Sequence, residues 1–310
     1  MTSREQILVG VDGGPGGAAA VRYAIEEAER HHRDLRLVHV APWYSPAPMF
    51  SLVPTELEAI GRRILSDAAA EPRRRLGTER VTTSLMTGSR VGCSVQAATH
   101  AVLVVLGNDR PSLVDRVLTG AMLSGLAARS THPVVAVPNS WTRDRPRNRV
   151  VVGVKNPDQA TEQLRRALAI AGDRGAELQV VHAWELPGAY DDIIADRTTQ
   201  AAMNQQVRDR LRAVVDQLVP GQPVPSVDIR IEHGQPARVL QRATARADLL
   251  LLERRPHAFP LGHLGATGRA LLREGLCPVE VLPPSRDPWK EESLVLESAG
   301  VFHAEEEQPL

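Results

Sequence analysis

A chain of 310 residues, at roughly 100–200 residues per domain, predicts two domains, each long enough to bury a core. Hydrophobic residues make up 43% and charged residues 24%, and 37 basic side chains balance 37 acidic ones, so no net charge steers the chain toward nucleic acid or an anionic membrane. Aromatic residues at 3% argue against the base-stacking surfaces of single-strand binders.

The first element is a continuous apolar run over 7–11, suited to a parallel strand covered on both faces. Val21, Ala24, Ile25 and Ala28 come next at i, i+3, i+4, i+7 spacing, which predicts a helix. Strands are expected at 35–40, 81–86, 102–106 and 134–137, with a long helical connection between the second and third. The stretch NSWTRDRPRN is polar, charged and proline-containing, and predicts the domain boundary, with a linker at 142–148 between domains 1–141 and 149–283. The second half repeats the first. VVVGVKNPDQA from Val150 echoes ILVGVDGGPGG from Ile7, Leu164, Ala167, Leu168 and Ala171 repeat the helical stripe, and strands are expected at 178–183, 227–232, 249–252 and 279–282. The offsets hold over the whole length: Gly10 to Gly153 (153 − 10 = 143), His39 to His182 (182 − 39 = 143), Gly120 to Gly265 (265 − 120 = 145). Residues 284–310 lack periodicity and end in an acidic run, which predicts a disordered tail, with a short helix over 291–298 as the alternative. Alternating strands and helices imply an α/β protein of two doubly wound, parallel-sheet, Rossmann-like domains in tandem.

In such sheets ligands bind beyond the carboxyl ends of the strands where strand order reverses. Asp12 and Gly107 end the first and fourth strands and belong to that crevice. No Gly-Lys-Ser/Thr ending supports a Walker-type loop, and GGPGG does not supply a dinucleotide fingerprint. Asp12 has a second reading, as an Asx turn or helix cap. His39 and His182, at equivalent strand ends, read as hydrogen-bonded structural groups before metal ligands. Cys93 and Cys277 form neither a metal-ligand spacing nor a disulfide framework, which fits a reducing compartment. Neither the start, MTSREQ, nor the longest apolar run, 101–106, predicts a signal segment or membrane span, so a cytoplasmic protein is expected. The clusters EPRRRLGTER and RDRPRNR read as solvated helix face and linker, without nucleic-acid contact. No catalytic triad, paired carboxylates or metal cluster stands out, so no catalytic or metal residue is assigned.

VGVDG in the first strand, VHV in the second, the GSR or GQPA turn before a helix, and THPVVAVP or CPVEVLP as the last strand resemble the universal stress protein family in its tandem form, over the chain to about Pro283. The resemblance implies an adenine-nucleotide hydrolase-like fold. Family members that bind ATP carry Gly-x2-Gly-x9-Gly-Ser/Thr after the fourth strand. The first half keeps the spacing from Gly107 to Gly120, but with Arg110 at the second glycine and Ala121 at the hydroxyl position. In the second half the frame falls on Leu252, Arg255, Gly265 and Ala266, and Lys155 replaces the carboxylate of Asp12. The resemblance thus implies a weak ATP site in the first half alone, built from Asp12, Gly13, Val40, Gly107, Arg110, Gly120 and Ala121, with α-helical N–H groups after Gly120 facing phosphate. It further implies a stress factor without turnover chemistry, pseudo-two-fold pairing of the halves through their last strands, and a homodimer. The alternatives are a scaffold that binds no nucleotide and an ATP-cleaving or adenylating enzyme.

Overall fold

The computed structural model describes residues 5–41, 54–108, 116–144, 146–185, 197–219, 225–254 and 264–284. The expected tail helix therefore lies outside the described residues. In the first half the strands are β1 (Gln6–Gly10), β2 (Asp34–Ala41), β3 (Val81–Thr87), β4 (Ala101–Asn108) and β5 (Val134–Pro138), and the helices are α1 (Pro15–Arg30), α2 (Pro54–Leu76), α3 (Arg90–Ala98) and α4 (Arg116–Arg129). The second half continues with β6 (Arg149–Gly153), α5 (Thr161–Arg174), β7 (Glu177–Trp184), α6 (Arg197–Leu218), β8 (Val227–His233), α7 (Pro236–Thr244), β9 (Leu249–Glu253), α8 (Ala266–Glu274) and β10 (Val279–Leu282).

Local chemistry sets several of these boundaries. Pro15 opens α1, where its fixed φ suits a helix and its missing N–H costs nothing. The Ser89 hydroxyl accepts from Gly92 N–H at 3.4 Å and caps α3. Gly175, at φ 60°, ends α5 in the left-handed conformation that a glycine adopts without strain.

All ten strands form one sheet in the order β3-β2-β1-β4-β5-β10-β9-β6-β7-β8. Pairing is parallel within each half, and β5 meets β10 antiparallel, with Val135 opposite Glu280. Alternation along the strands splits the core by face. Ile7 and Val9 join one cluster with Tyr23, Leu35 and Leu37, while Leu8 faces the other side. In the second half Val150 and Val152 pack with Leu164 and Leu178, and Val151 faces the other way.

That other face departs from the expectation of two self-sufficient cores. Leu8, Leu106 and Leu126 of the first half belong to one cluster with Leu250, Leu271 and Val279 of the second. Continuity of the sheet through β5 and β10 causes this, because α4 and α8 then pack side by side over the seam. Polar contacts across it are reciprocal. Asn108 at the end of β4 donates to the Arg273 carbonyl at 3.0 Å, in the last turn of α8. Arg254, just past β9, donates to the carbonyls of Ala128 and, at 3.1 Å, Ser130, at the C-terminus of α4. Each half thus satisfies carbonyls that the other half's helix leaves open.

The segment joining the halves is tied down. Trp141 packs edge-on against Tyr23 with ring centroids 5.3 Å apart, and the Asp248 carboxylate accepts from the backbone N–H groups of Arg147 and Arg149 at 2.8 and 3.0 Å.

Candidate functional site

Strand order reverses between β1 and β4 in the first half and between β6 and β9 in the second, so each half has a crevice at the carboxyl ends of those strands. In the first, Asp12, Val40 and Gly107 line one cavity together with Arg90, Leu106 and Met122. Gly13 adjoins it at φ 84°, a left-handed turn that restricts the position to glycine. The Asp12 Oδ1 accepts from Gly14 N–H at 2.9 Å, which is the Asx turn, and the side chain is exposed. Arg110 lies outside the described residues.

Gly120 and Ala121 sit differently from expectation. The α4 helix begins at Arg116, so Gly120 lies inside its second turn and does not precede it. Arg116, Val117 and Leu118 contain no helix breaker, and an interior glycine costs only about 1 kcal/mol, so the helix extends back past it. N–H groups after Gly120 are therefore intrahelical donors, while those of 116–119 are the open ones.

Gly107 has a packing reason for being glycine. A Cβ there would meet the backbone carbon of Gly16, in the first turn of α1, at 2.2 Å. The sheet register also corrects the equivalence of the two loops. Val105 pairs with Val9, and Leu251 with Val152, so Gly107 corresponds to Glu253 (107 + 146 = 253) and not to Leu252. The second loop is then one residue shorter to its helix glycine (120 − 107 = 13; 265 − 253 = 12). Glu253 is tolerated because the second half does not bring a helix as close: α1 starts at Pro15, whereas α5 starts at Thr161, three residues later than the offset of 143 predicts (15 + 143 = 158), after a short 3-10 turn.

The histidines are held alike. His39 Nδ1–H donates to the Val11 carbonyl at 2.7 Å, and His182 Nδ1–H donates to the Val154 carbonyl at 3.0 Å. Burial holds the His182 imidazole below its usual pKa range despite that bond. Both rings tie the exit of a first strand to the strand beside it. Among the described residues no cluster of three His, Cys, Asp or Glu side chains offers a metal site, and no helix is long and apolar enough to cross a membrane.

The two crevices differ most in size. The first encloses about 70 Å3 and the second about 710 Å3. Arg90 and Met122, which line the first, have as counterparts Pro236 (90 + 146) and Thr267 (122 + 145), both smaller. Sequence reasoning missed Arg90 as a crevice residue, although an arginine in the first turn of the helix after the third strand is the available signal.

A family model described as the universal stress protein family matches residues 3–138 and again 146–283. A universal stress protein of Mycobacterium tuberculosis H37Rv is 29% identical over 294 residues, covering 89% of this chain and 96% of that protein. A second one from the same organism is 26% identical over 310 residues, covering 91% and 96%. Among solved structures, a universal stress protein from Archaeoglobus fulgidus superposes with a TM-score of 0.65 at 16% identity, covering 90% of this chain and 96% of that one, and a putative one from Pseudomonas aeruginosa with 0.60 at 17%, covering 91% and 94%. The double match, the strand order within each half and the shared Rossmann-like architecture lead to one conclusion: this chain belongs to the universal stress protein family and carries two of its domains in tandem.

Proposed function

We propose that this protein is a stress-response factor that binds a ligand without turning it over, and that its first half takes an adenine nucleotide weakly. The observation that supports this most is the Asp12 carboxylate. It stands at the end of β1 in the same crevice as Val40 and Gly107, with one oxygen engaged by Gly14 N–H and the other bonded to no described residue. That free oxygen is an acceptor for a ribose hydroxyl or an adenine amine. Domains at 1–141 and 149–283 act in this reading as a pseudo-two-fold pair joined through β5 and β10, able to dimerise further. The free thiols Cys93 and Cys277 suit a reducing cytoplasm.

The volume of the first crevice sets the expected affinity. Sites for small molecules enclose roughly 300–1,000 Å3, so the lining must rearrange before a nucleotide enters a space of about 70 Å3. That reorganisation weakens binding. The same number favours a second reading, an interaction scaffold indifferent to nucleotides. Single-turnover incubation with labelled ATP, with and without Asp12→Ala, tests the proposal. Retention of intact ATP that is lost in the variant supports a binding factor, cleavage abolished by the substitution would make it an enzyme, and no retention in either protein would leave the scaffold.

A further inference from the structure

The second crevice differs from its counterpart in lining and in volume. Its wall is Trp184, where the first half has Ala41 (184 − 41 = 143). The indole N–H donates to Asn204 Oδ1 at 2.8 Å and the ring lies 4.6 Å from His233, tilted by 59°, so the aromatic face is held in place. Val154, Leu240, Leu252 and Leu264 supply an apolar lining, and with the smaller Pro236 and Thr267 they leave about 710 Å3 open.

Lys155 stands at the mouth of this space, in the place of Asp12 (12 + 143 = 155). The turn no longer needs it. The Asx role has moved one residue on, to Asn156, whose Oδ1 accepts from Asp158 N–H at 3.2 Å. Lys155 is exposed and makes no ion pair with a described residue. It is also one of two lysines among 37 basic residues in the chain, the rest being arginines, so a compact ammonium is unusual at any position here. The nine-residue α8 opens onto the same cavity. Gly265 caps it without a side-chain hydrogen bond, the Arg269 N–H is the first to bond back to Gly265, and Thr267 adds a hydroxyl. The preceding N–H groups of α8 have no intrahelical acceptor.

Charge limits what fits. Arg254 lines the cavity and keeps its charge: two of its nitrogens donate to the carbonyls of Ala128 and Ser130 across the seam, and its Nε is buried with no partner among the described residues. Glu185 and Glu253 line it too, and Glu253 already has a partner. Two cations, Lys155 and Arg254, against two carboxylates leave the lining with no net charge, which disfavours a polyphosphate and suits a single negative charge. We propose that the second crevice binds a small monocarboxylate with an aromatic or aliphatic body, its carboxylate on Lys155 and the N-terminal groups of α8, its body against Trp184 and the apolar lining. This site is independent of the nucleotide reading, because it shares no residue with the first crevice.

The test uses the full-length protein with 2-naphthoate and decanoate as aryl and acyl probes, monitored by calorimetry and tryptophan fluorescence, with ATP for comparison. Saturable binding of either probe at one per chain is expected. Lys155→Glu should weaken it at least tenfold, Thr267→Met, which copies the counterpart Met122 in the lining of the first crevice, should weaken it severalfold, and Asp12→Ala should leave it unchanged. Preference for naphthoate or decanoate identifies the body as aromatic or aliphatic. The proposal is overturned if neither probe saturates, if Lys155→Glu binds as the parent does, or if ATP displaces the probes at concentrations below their own dissociation constants.

Discussion

Arg174 of α5 reaches out of the second half to Glu27 of α1 in the first, 2.8 Å from Oε1, and donates to the Tyr23 hydroxyl at 3.0 Å. The Glu27 side chain is 9% exposed and that of Arg174 12%, so this pair is largely shielded from water. Burial alone would raise the Glu27 carboxyl, but His31, Arg174 and Arg30 outweigh it and hold the group below its usual range. Burial likewise drives the Tyr23 phenol up, assisted by the Glu27 charge.

Truncating Arg174 to alanine leaves a buried carboxylate with Arg30 and His31 as its neighbours. Loss of one partner of a buried pair costs about 3–5 kcal/mol, and the low end, about 3, is expected here because Arg30 still pairs with Glu27. Urea denaturation measures it. Because the folded carboxyl is depressed, its contribution is complete above the unfolded value of about 4.3 and disappears as pH falls through the lower folded value. The difference between parent and Arg174→Ala should therefore shrink in that acid window.

Gly107 and Gly172 make a matched pair of alanine substitutions. The added Cβ at 107 runs into Gly16 backbone at 2.2 Å and must push α1 off β4, at a cost of about 1–3 kcal/mol. At 172, inside α5, a Cβ meets nothing within 4 Å, so alanine should stabilise by about 0.5–1 kcal/mol through helix propensity. Thermal unfolding of the two variants should move in opposite directions.

The two thiols should separate in reactivity. Cys277 is 2% exposed, and burial pushes its thiol up to about 12, with Arg147 only partly opposing. Cys93 is half-buried, its Sγ 3.8 Å from the Thr87 carbonyl. Titration with a coloured disulfide reagent at pH 8 should release one equivalent rapidly from the native chain and two after unfolding. Two rapid equivalents would mean that the packing around Cys277 opens readily.

Most of the fold was legible because buried parallel strands write themselves as short apolar runs, and all the expected strands match observed ones to within a residue or two. The shared core was not legible. Nothing in the alternation of Leu8 or Leu250 says whether the apolar face it marks is covered within its own half or across β5 and β10. At the site, Asp12, Val40 and Gly107 do converge, since a strand end fixes their position. Gly120 and Ala121 were misplaced relative to the start of α4, because a glycine in a helix is a weak stop and its motif meaning suggested a cap. Crevice volume escaped the sequence altogether. It depends on how side chains from separate helices, such as Arg90 and Met122, meet at the crevice wall, which the period of a single helix does not record.

Asymmetry between the halves underlies both site proposals, and calorimetric titration of ATP into the parent, Asp12→Ala and Lys155→Ala bears on it without intermediary steps. Weak binding at one ATP per chain is expected, reduced at least severalfold by Asp12→Ala and unaltered by Lys155→Ala. Two equivalent sites per chain, or binding that ignores Asp12 and falls with Lys155, would show the asymmetry to be wrong.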